Sequence, residues 1–278
     1  MNFLGQYMMH SKETLEEEIH FSFCNRKPMI VFDENGELFR KTVGLAEHAG
    51  YDIVRINFAN PVETDGWNPF VMFRETMERH GNAEAVDNVH RFVQNMLNSF
   101  HQGRYDMFYS EIEESLLNGL FLYVAFSDNF RGREGERHLV TAIEIFLNFR
   151  TKDGQGLAEP EFTRFIESLS DEDLAKRDFQ MFRRLWGMAG GLQRNVVMDL
   201  STLLWFVGGN YGILLSSNDV DFISPSNRPC ICYCIYNEEE KNKNFLVNAF
   251  YMESLKRLRY SYVTPEIIIP ENFKEKFI

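Results

Sequence analysis

The chain has 278 residues, 44% of them hydrophobic and 25% charged, a composition typical of a globular protein with room for two domains. With 29 Lys and Arg against 41 Asp and Glu, the formal net charge of −12 excludes DNA binding through an overall basic field. Four cysteines do not make a disulfide framework, and no apolar stretch approaches the roughly 20 residues that span a bilayer. The sequence therefore predicts a soluble, cytoplasmic protein.

The first block has a strand–helix–strand pattern. The apolar run of residues 29–32 stops at Asp33, residues 37–50 have helical character, and residues 52–58 form a second apolar strand. This order predicts one β-α-β step of a parallel sheet. Many turn-forming residues follow in residues 60–69 and end the pattern.

The middle block, residues 70–207, shows helical periodicity and no convincing strand. Within residues 106–126 the apolar positions fall on one stripe of a helix. These positions are Ile112, Leu116, Leu117, Leu120, Phe121 and Val124. A further helix is predicted from Arg194 to Phe206, ending at the pair Gly208-Gly209. The block is predicted to be an all-helical domain.

Strand signals return after Gly209. Residues 211–215 and 229–236 are predicted strands, a helix is predicted over residues 243–260, and residues 266–269 form a short strand candidate. The predicted fold class is α/β, a partial parallel sheet with an inserted all-helical domain. The predicted boundaries are 1–66 for the first part of the α/β domain, 67–207 for the insertion and 208–278 for the second part.

The sharpest local feature is the apolar strand that ends in Asp33-Glu34. At the carboxyl edge of a parallel sheet such an acid either holds a magnesium-bound water near a nucleotide or caps the following helix. A phosphate-binding Gly-x-x-x-x-Gly-Lys-Ser/Thr loop would favour the first role, but no glycine in this chain is followed by lysine.

Other chemical signals are weak. Cys230, Cys232 and Cys234 alternate along one strand, and Cys24 is the only other cysteine, so they are interpreted as small buried side chains and no metal site is predicted. The basic run at the end of the last helix is a candidate for DNA or phosphate contact, although cations also favour a helix C-terminus. That run contains Lys256, Arg257 and Arg259.

Over about forty residues the sequence resembles the coupling proteins of type IV secretion systems, the TraG/TraD-type conjugative DNA-transfer ATPases. The matching segments are Ile30 to Thr42, Ala49 to Asp52, Ile56 to Phe58 and Asp65 to Pro69. Looser similarity continues at residues 105–108, at residues 216–222 and at the strand of residues 230–236. The resemblance implies a RecA-like sheet of the P-loop NTPase type carrying an inserted all-α domain.

The family implies hexamers anchored in the inner membrane that use ATP and magnesium, recruit relaxosome or secretion-substrate proteins and handle single-stranded DNA in the intact assembly. Asp33 and Glu37 match its Asp-Pro-Lys-Gly-Glu motif, and with Glu34 they are the nucleotide-proximal candidates. Glu34 and Asn35 replace the motif's Pro and Lys, and the phosphate loop is missing. No catalytic residue is assigned, and no cofactor is expected in this chain itself.

Three functions stay open. The chain is a central segment or degenerate relative of a coupling protein whose helical domain recruits partners, an active hydrolase that uses Asp33-Glu34 as a Walker-B-like pair, or a broken gene product. The fragment hypothesis predicts a phosphate loop encoded upstream of Met1 and an apolar strand ending in Asp-Glu encoded downstream of Ile278.

Overall fold

A computed structural model of the chain describes residues 12–102, 106–220, 228–237, 244–258, 265–270 and 273. The strands are β1 (Met29–Glu34), β2 (Asp52–Asn57), β3 (Cys230–Tyr236) and β4 (Glu266–Ile268). The helices are α1 (Lys12–Cys24), α2 (Glu37–His48), α3 (Pro69–His80), α4 (Asn82–His101), α5 (Met107–Phe126), α6 (Leu139–Asn148), α7 (Glu159–Ser168), α8 (Lys176–Ala189), α9 (Gln193–Ser216) and α10 (Asn244–Leu258).

The described residues form two compact units. The residues before Gly66 and after Asn218 make up a sheet unit, and Gly66–Asn218 make up a helical unit. The predicted α/β class is confirmed, because the four strands form one parallel sheet in the order β2-β3-β1-β4. The short strand predicted at residues 266–269 pairs with β1 as β4.

The two faces of the sheet are covered by different helices. The links from β1 to β2 and from β3 to β4 run in opposite directions across the sheet, and right-handed crossovers therefore place α2 and α10 on opposite faces. Val31 and Tyr233 lie in one core with residues of α1 and α2. On the other face, the ring of Phe32 lies 6.0 Å from that of Phe250 and 4.8 Å from that of Phe273.

The helical unit is built around α5, which is buried on most of its surface. Gly119 allows α8 to approach it closely, since a Cβ at this position would lie 2.5 Å from the ring of Phe179. Between residues 75 and 200 the described chain contributes no strand to the sheet, and its β pairing there is a single antiparallel bridge between Arg150 and Leu157. Of the helices described, none is long and apolar enough to cross a membrane.

The strand predicted at residues 211–215 was wrong, because α9 continues through Gly208-Gly209 to Ser216. The predicted boundary at residue 207 therefore falls inside a helix. At Gly208 a Cβ would lie 2.8 Å from the Cδ1 atom of Ile143, so this glycine allows α9 to pack against α6 and does not end the helix. Packing between helices therefore explains a glycine that, by local propensity alone, would be expected at the end of a helix.

The two ends of the helical unit are bound to each other. The amide of Trp67 donates to the carbonyl of Leu214 at 2.7 Å, and that of Asn68 donates to Oδ1 of Asn218 at 3.3 Å. A Cβ on Gly66 would stand 1.9 Å from Oγ of Ser217 and 2.6 Å from its carbonyl oxygen. The chain therefore enters and leaves this unit at one point.

Candidate functional site at the carboxyl edge of the sheet

Asp33 caps the first turn of α2. Its Oδ1 accepts from the amide of Leu38 at 3.0 Å and its Oδ2 accepts from the amide of Phe39 at 2.7 Å. These amides belong to the first helical turn, which has no acceptors of its own. The side chain is buried, with 1% of its surface exposed. Of the two roles weighed for this acid, the geometry shows the cap.

The turn between β1 and α2 brings the Asp33 side chain within hydrogen-bonding distance of amides five and six residues further along the chain. Asn35 and Gly36 both have positive φ, 64° and 72°, the left-handed conformation that asparagine and glycine adopt most easily. The amide of Asn35 donates to the carbonyl of Tyr236 at 2.8 Å, and the guanidinium of Arg40 donates to the carbonyl of Asn35 at 2.9 Å. The turn is therefore fixed to the end of β3, and the Asp33 carboxylate turns back onto α2.

The surroundings of the Asp33 carboxyl group are those of a buried structural acid. Burial raises its pKa above the usual 3.8, although the amides of Phe39 and Leu38 and the charge of Arg40 act in the opposite direction. Both oxygens already accept hydrogen bonds from the backbone, and the chain supplies no glycine–lysine pair for a phosphate. In the part of the chain that the structure describes, no three His, Cys, Asp or Glu side chains are placed to hold a metal ion.

The other acidic candidates lie near Asp33 but not in one constellation with it. Glu34 is the last residue of β1 and is partly exposed. Glu37 is the first residue of α2, and its carboxylate lies 3.5 Å from Nζ of Lys41, one turn further along the helix. A carboxylate in the first turn of a helix is favoured by the helix dipole, which gives Glu37 a structural role at this position.

The structure does not show whether the basic candidates lie near the carboxyl edge of the sheet. Lys256 and Arg257 belong to the last turn of α10, where the structure describes the backbone and not their side chains. Arg259 lies outside the described residues. A contact of these three residues with phosphate therefore stays a prediction.

The cysteines agree with their interpretation as small core side chains. Cys232 and Cys234 are fully buried in β3, and Cys230 is partly buried. Burial raises the thiol pKa of Cys232 and of Cys234 well above the usual 9.0, which keeps them protonated and unreactive.

Sequence reasoning missed a buried polar cluster in the helical unit. Nε2 of His101 lies 2.7 Å from Oε2 of Glu113, a fully buried carboxyl, and the hydroxyl of Tyr109 donates to Oδ2 of Asp199 at 2.6 Å. The hydrogen bond to Glu113 raises the pKa of His101, and burial raises that of Glu113. An acid beside Ile112 in the apolar stripe of α5 was the available signal.

Comparison with known proteins adds one match. Residues 23–159 match the family model described as "Type IV secretory system Conjugative DNA transfer". A comparison with curated proteins finds no match to this chain. The matched residues include β1, the Asp33 turn, β2 and the helical unit as far as the start of α7. Over this span, just under half of the chain, the sequence is similar to the conjugative DNA-transfer family of type IV secretion systems, as the motifs around Asp33 and Trp67 predicted.

Proposed function

We propose that this chain serves a conjugative DNA-transfer system by recruitment: its helical unit binds a relaxosome or secretion-substrate protein, and the chain does not hydrolyse ATP with its own residues. The observation that carries this proposal is the Asp33 carboxylate, which caps α2 with both oxygens. An acid held in this way has a structural role that needs neither magnesium nor a nucleotide, because it satisfies the first amides of a helix.

Recruitment is supported by an uncharged face on α9. The nineteen residues from Leu200 to Asn218 contain no Asp, Glu, Lys, Arg or His, in a chain of net charge −12. Trp205 and Ile213 lie on this face two helical turns apart, with 74% and 72% of their surfaces exposed. Exposed apolar side chains in such a stripe are typical of protein-binding surfaces, and aromatic residues contribute most to binding there.

In this proposal, the complete transfer machine uses ATP and magnesium, handles single-stranded DNA and forms a ring of identical copies. The chain alone does none of these. The acidic balance of the chain, a net charge of −12, opposes DNA binding through its overall field. We expect salt-sensitive, weak DNA binding by the chain alone.

The first test measures nucleotide binding. Calorimetric titration of the full chain with magnesium-ATP should give no binding heat, and phosphate release should match that of an Asp33→Asn, Glu34→Gln variant. Magnesium-dependent hydrolysis that the variant lacks would support the alternative function, an active hydrolase with Asp33-Glu34 as its acidic pair.

The second test measures recruitment. The full chain is immobilised and exposed to the purified relaxase and secreted proteins of the same transfer system, and at least one should bind. Trp205→Ser should weaken that binding at least tenfold, whereas Val62→Ser, which removes a residue 84% exposed in the sheet unit, should not change it. Binding by neither class of protein would contradict the proposed function.

A further inference from the structure

A cavity of about 340 Å³ opens on the helical unit between α5, α6 and α7. Its walls combine aromatic rings with acidic and amide side chains. Three of those rings, Tyr123, Phe149 and Phe165, are partly exposed. Tyr123 and Phe165 meet edge to face with centroids 5.0 Å apart, and Phe149 lies 5.1 Å from Phe165. The rings thus form a continuous aromatic wall.

The wall is held rigidly. Arg137 is buried and donates to the carbonyls of Val124 and Ala125 at 3.0 and 2.9 Å, which fixes the end of α5 that carries Tyr123. The side-chain Nδ2 of Asn129 donates to the Tyr123 hydroxyl at 3.1 Å. A wall fixed in this way needs little reorganisation when it binds a ligand.

The lining of the cavity already contains a guanidinium group on an aromatic ring. The guanidinium carbon of Arg133 lies 5.2 Å from the centroid of Phe130, and its Nε donates to Oε1 of Glu136 at 2.9 Å. This arrangement combines a cation–π contact with an ion pair. The residues of the cavity therefore already accommodate a guanidinium group that contacts an aromatic ring and pairs with a carboxylate.

A second carboxylate that lines the cavity, that of Glu144, is not neutralised in the same way. Glu144 is exposed, lines the cavity and forms no ion pair or hydrogen bond within the described residues. The nearby imidazole of His138 does not offset its charge at neutral pH, because burial lowers the pKa of His138. The cavity thus offers ring faces and one uncompensated negative charge.

We propose that this cavity binds an arginine side chain of a partner protein, with the guanidinium plane on the ring of Phe165 or Phe149 and its N–H groups donating to Glu144. The inference deepens the proposed function, on which it rests for the identity of the partner as a recruited protein. Arginine fits better than lysine because its planar group stacks on rings and pairs with a carboxylate through two N–H groups. A nucleotide would bring its phosphate towards Glu144, which disfavours it.

The test uses a fluorescein-labelled Gly/Ser peptide with three arginines and the same peptide with citrulline, which keeps the shape and removes the charge. Fluorescence polarisation with the full chain should show binding of the arginine peptide and at least a tenfold loss with citrulline. Glu144→Gln should weaken binding five- to tenfold. Glu111→Gln, which removes an equal charge from an exposed site on α5, should change it less than twofold.

Phe165→Leu keeps an apolar side chain and removes the ring face, and it should weaken arginine binding about fivefold, with circular dichroism confirming the fold. Equal weakening by Glu144→Gln and Glu111→Gln would show that the peptide senses only net charge and would overturn the proposal. Equal binding of the citrulline peptide, or no binding of the arginine peptide, would overturn it too.

The two proposals fail in different ways. If a relaxase or secreted protein binds and neither Glu144→Gln nor Phe165→Leu weakens it, recruitment stands and the arginine site does not serve it. If the arginine peptide binds in the expected pattern but no such protein does, the cation site stands and the recruitment function is contradicted.

Discussion

The sheet unit and the helical unit use their polar side chains in opposite ways. In the sheet unit, the sequence singles out the carboxylate of Asp33. This side chain is buried, and both of its oxygens accept hydrogen bonds from backbone amides of α2. In the helical unit, Glu144 and the rings of Tyr123 and Phe165 face a cavity although no motif marks them. The strongest sequence motif thus includes a helix cap, and the unmarked residues line the cavity for which arginine binding is proposed.

The difference teaches that the family motif at Asp33 includes a structural part that can be described without a ligand. The turn that contains Asn35 and Gly36 needs left-handed backbone, and the helix that follows needs an acceptor for its first amides. Asp33 meets the second need without any nucleotide. The predictions below separate these structural roles from binding roles.

The largest effect is expected from Gly66→Ala, at the point where the chain enters and leaves the helical unit, called the neck below. A methyl group there would lie 1.9 Å from Oγ and 2.6 Å from the carbonyl oxygen of Ser217, so the two chain segments must separate. We expect the free energy of unfolding to fall by roughly 2–4 kcal/mol in urea denaturation followed by circular dichroism. Gly135→Ala is the matched control, because no heavy atom lies within 4 Å of its added Cβ. Equal stabilities of the two variants would show that the neck is not closely packed.

Asp33→Ala should have the next largest effect. It leaves the amides of Leu38 and Phe39 without their acceptor, which costs about 1–3 kcal/mol of unfolding free energy. Asp33→Asn retains one acceptor oxygen and should cost less. The partly exposed Glu34 gives the control, and Glu34→Ala should stay within about 0.5 kcal/mol of wild type. If Asp33→Ala left chemical denaturation unchanged while altering nucleotide binding, the comparison between the units would break.

The smallest effect is a pH dependence from His101 and Glu113. Their pKa values are raised above the usual 6.5 and 4.5, by the shared hydrogen bond for His101 and by burial for Glu113. The folded state therefore keeps a proton on His101 that the unfolded chain releases, and the resulting stabilisation is complete below pH 6.5 and is lost as pH rises through the folded-state value. Asp199 and Tyr109 also face this pair, and the variants used in the test leave both residues unchanged.

We expect the wild-type unfolding free energy to fall as pH rises above 6.5, measured by urea denaturation. A His101→Gln, Glu113→Gln variant should lack this slope. His48→Gln, at an exposed position in the last turn of α2, should retain it. A slope that survives in the double variant would assign the pH dependence to other groups.

Parts of the fold follow from short-range patterns. The positions of β1, α2 and β2, the burial of Cys232 and Cys234 and the burial of the apolar residues of α5 were predictable because each depends on the apolar residues within one element. Sequence reasoning assigned α5 one buried stripe, whereas the helix is buried on most of its surface. The end of α9 was not predictable in this way. Gly208-Gly209 is locally a helix terminator, but α9 continues to Ser216, and the close approach of α6 at Ile143 explains why position 208 is a glycine.

The sequence by itself determined the α/β class, the family around Asp33 and Trp67 and the absence of a glycine–lysine phosphate loop, because each is written in consecutive residues. Only the tertiary structure decided that Asp33 caps α2 and that Glu144 shares a cavity with Phe165. A carboxylate that is able to cap a helix, hold a metal ion or bind a cation has the same sequence in all three cases. The atoms that surround it in the fold select among these roles, because hydrogen bonds and ion pairs act over only a few ångströms.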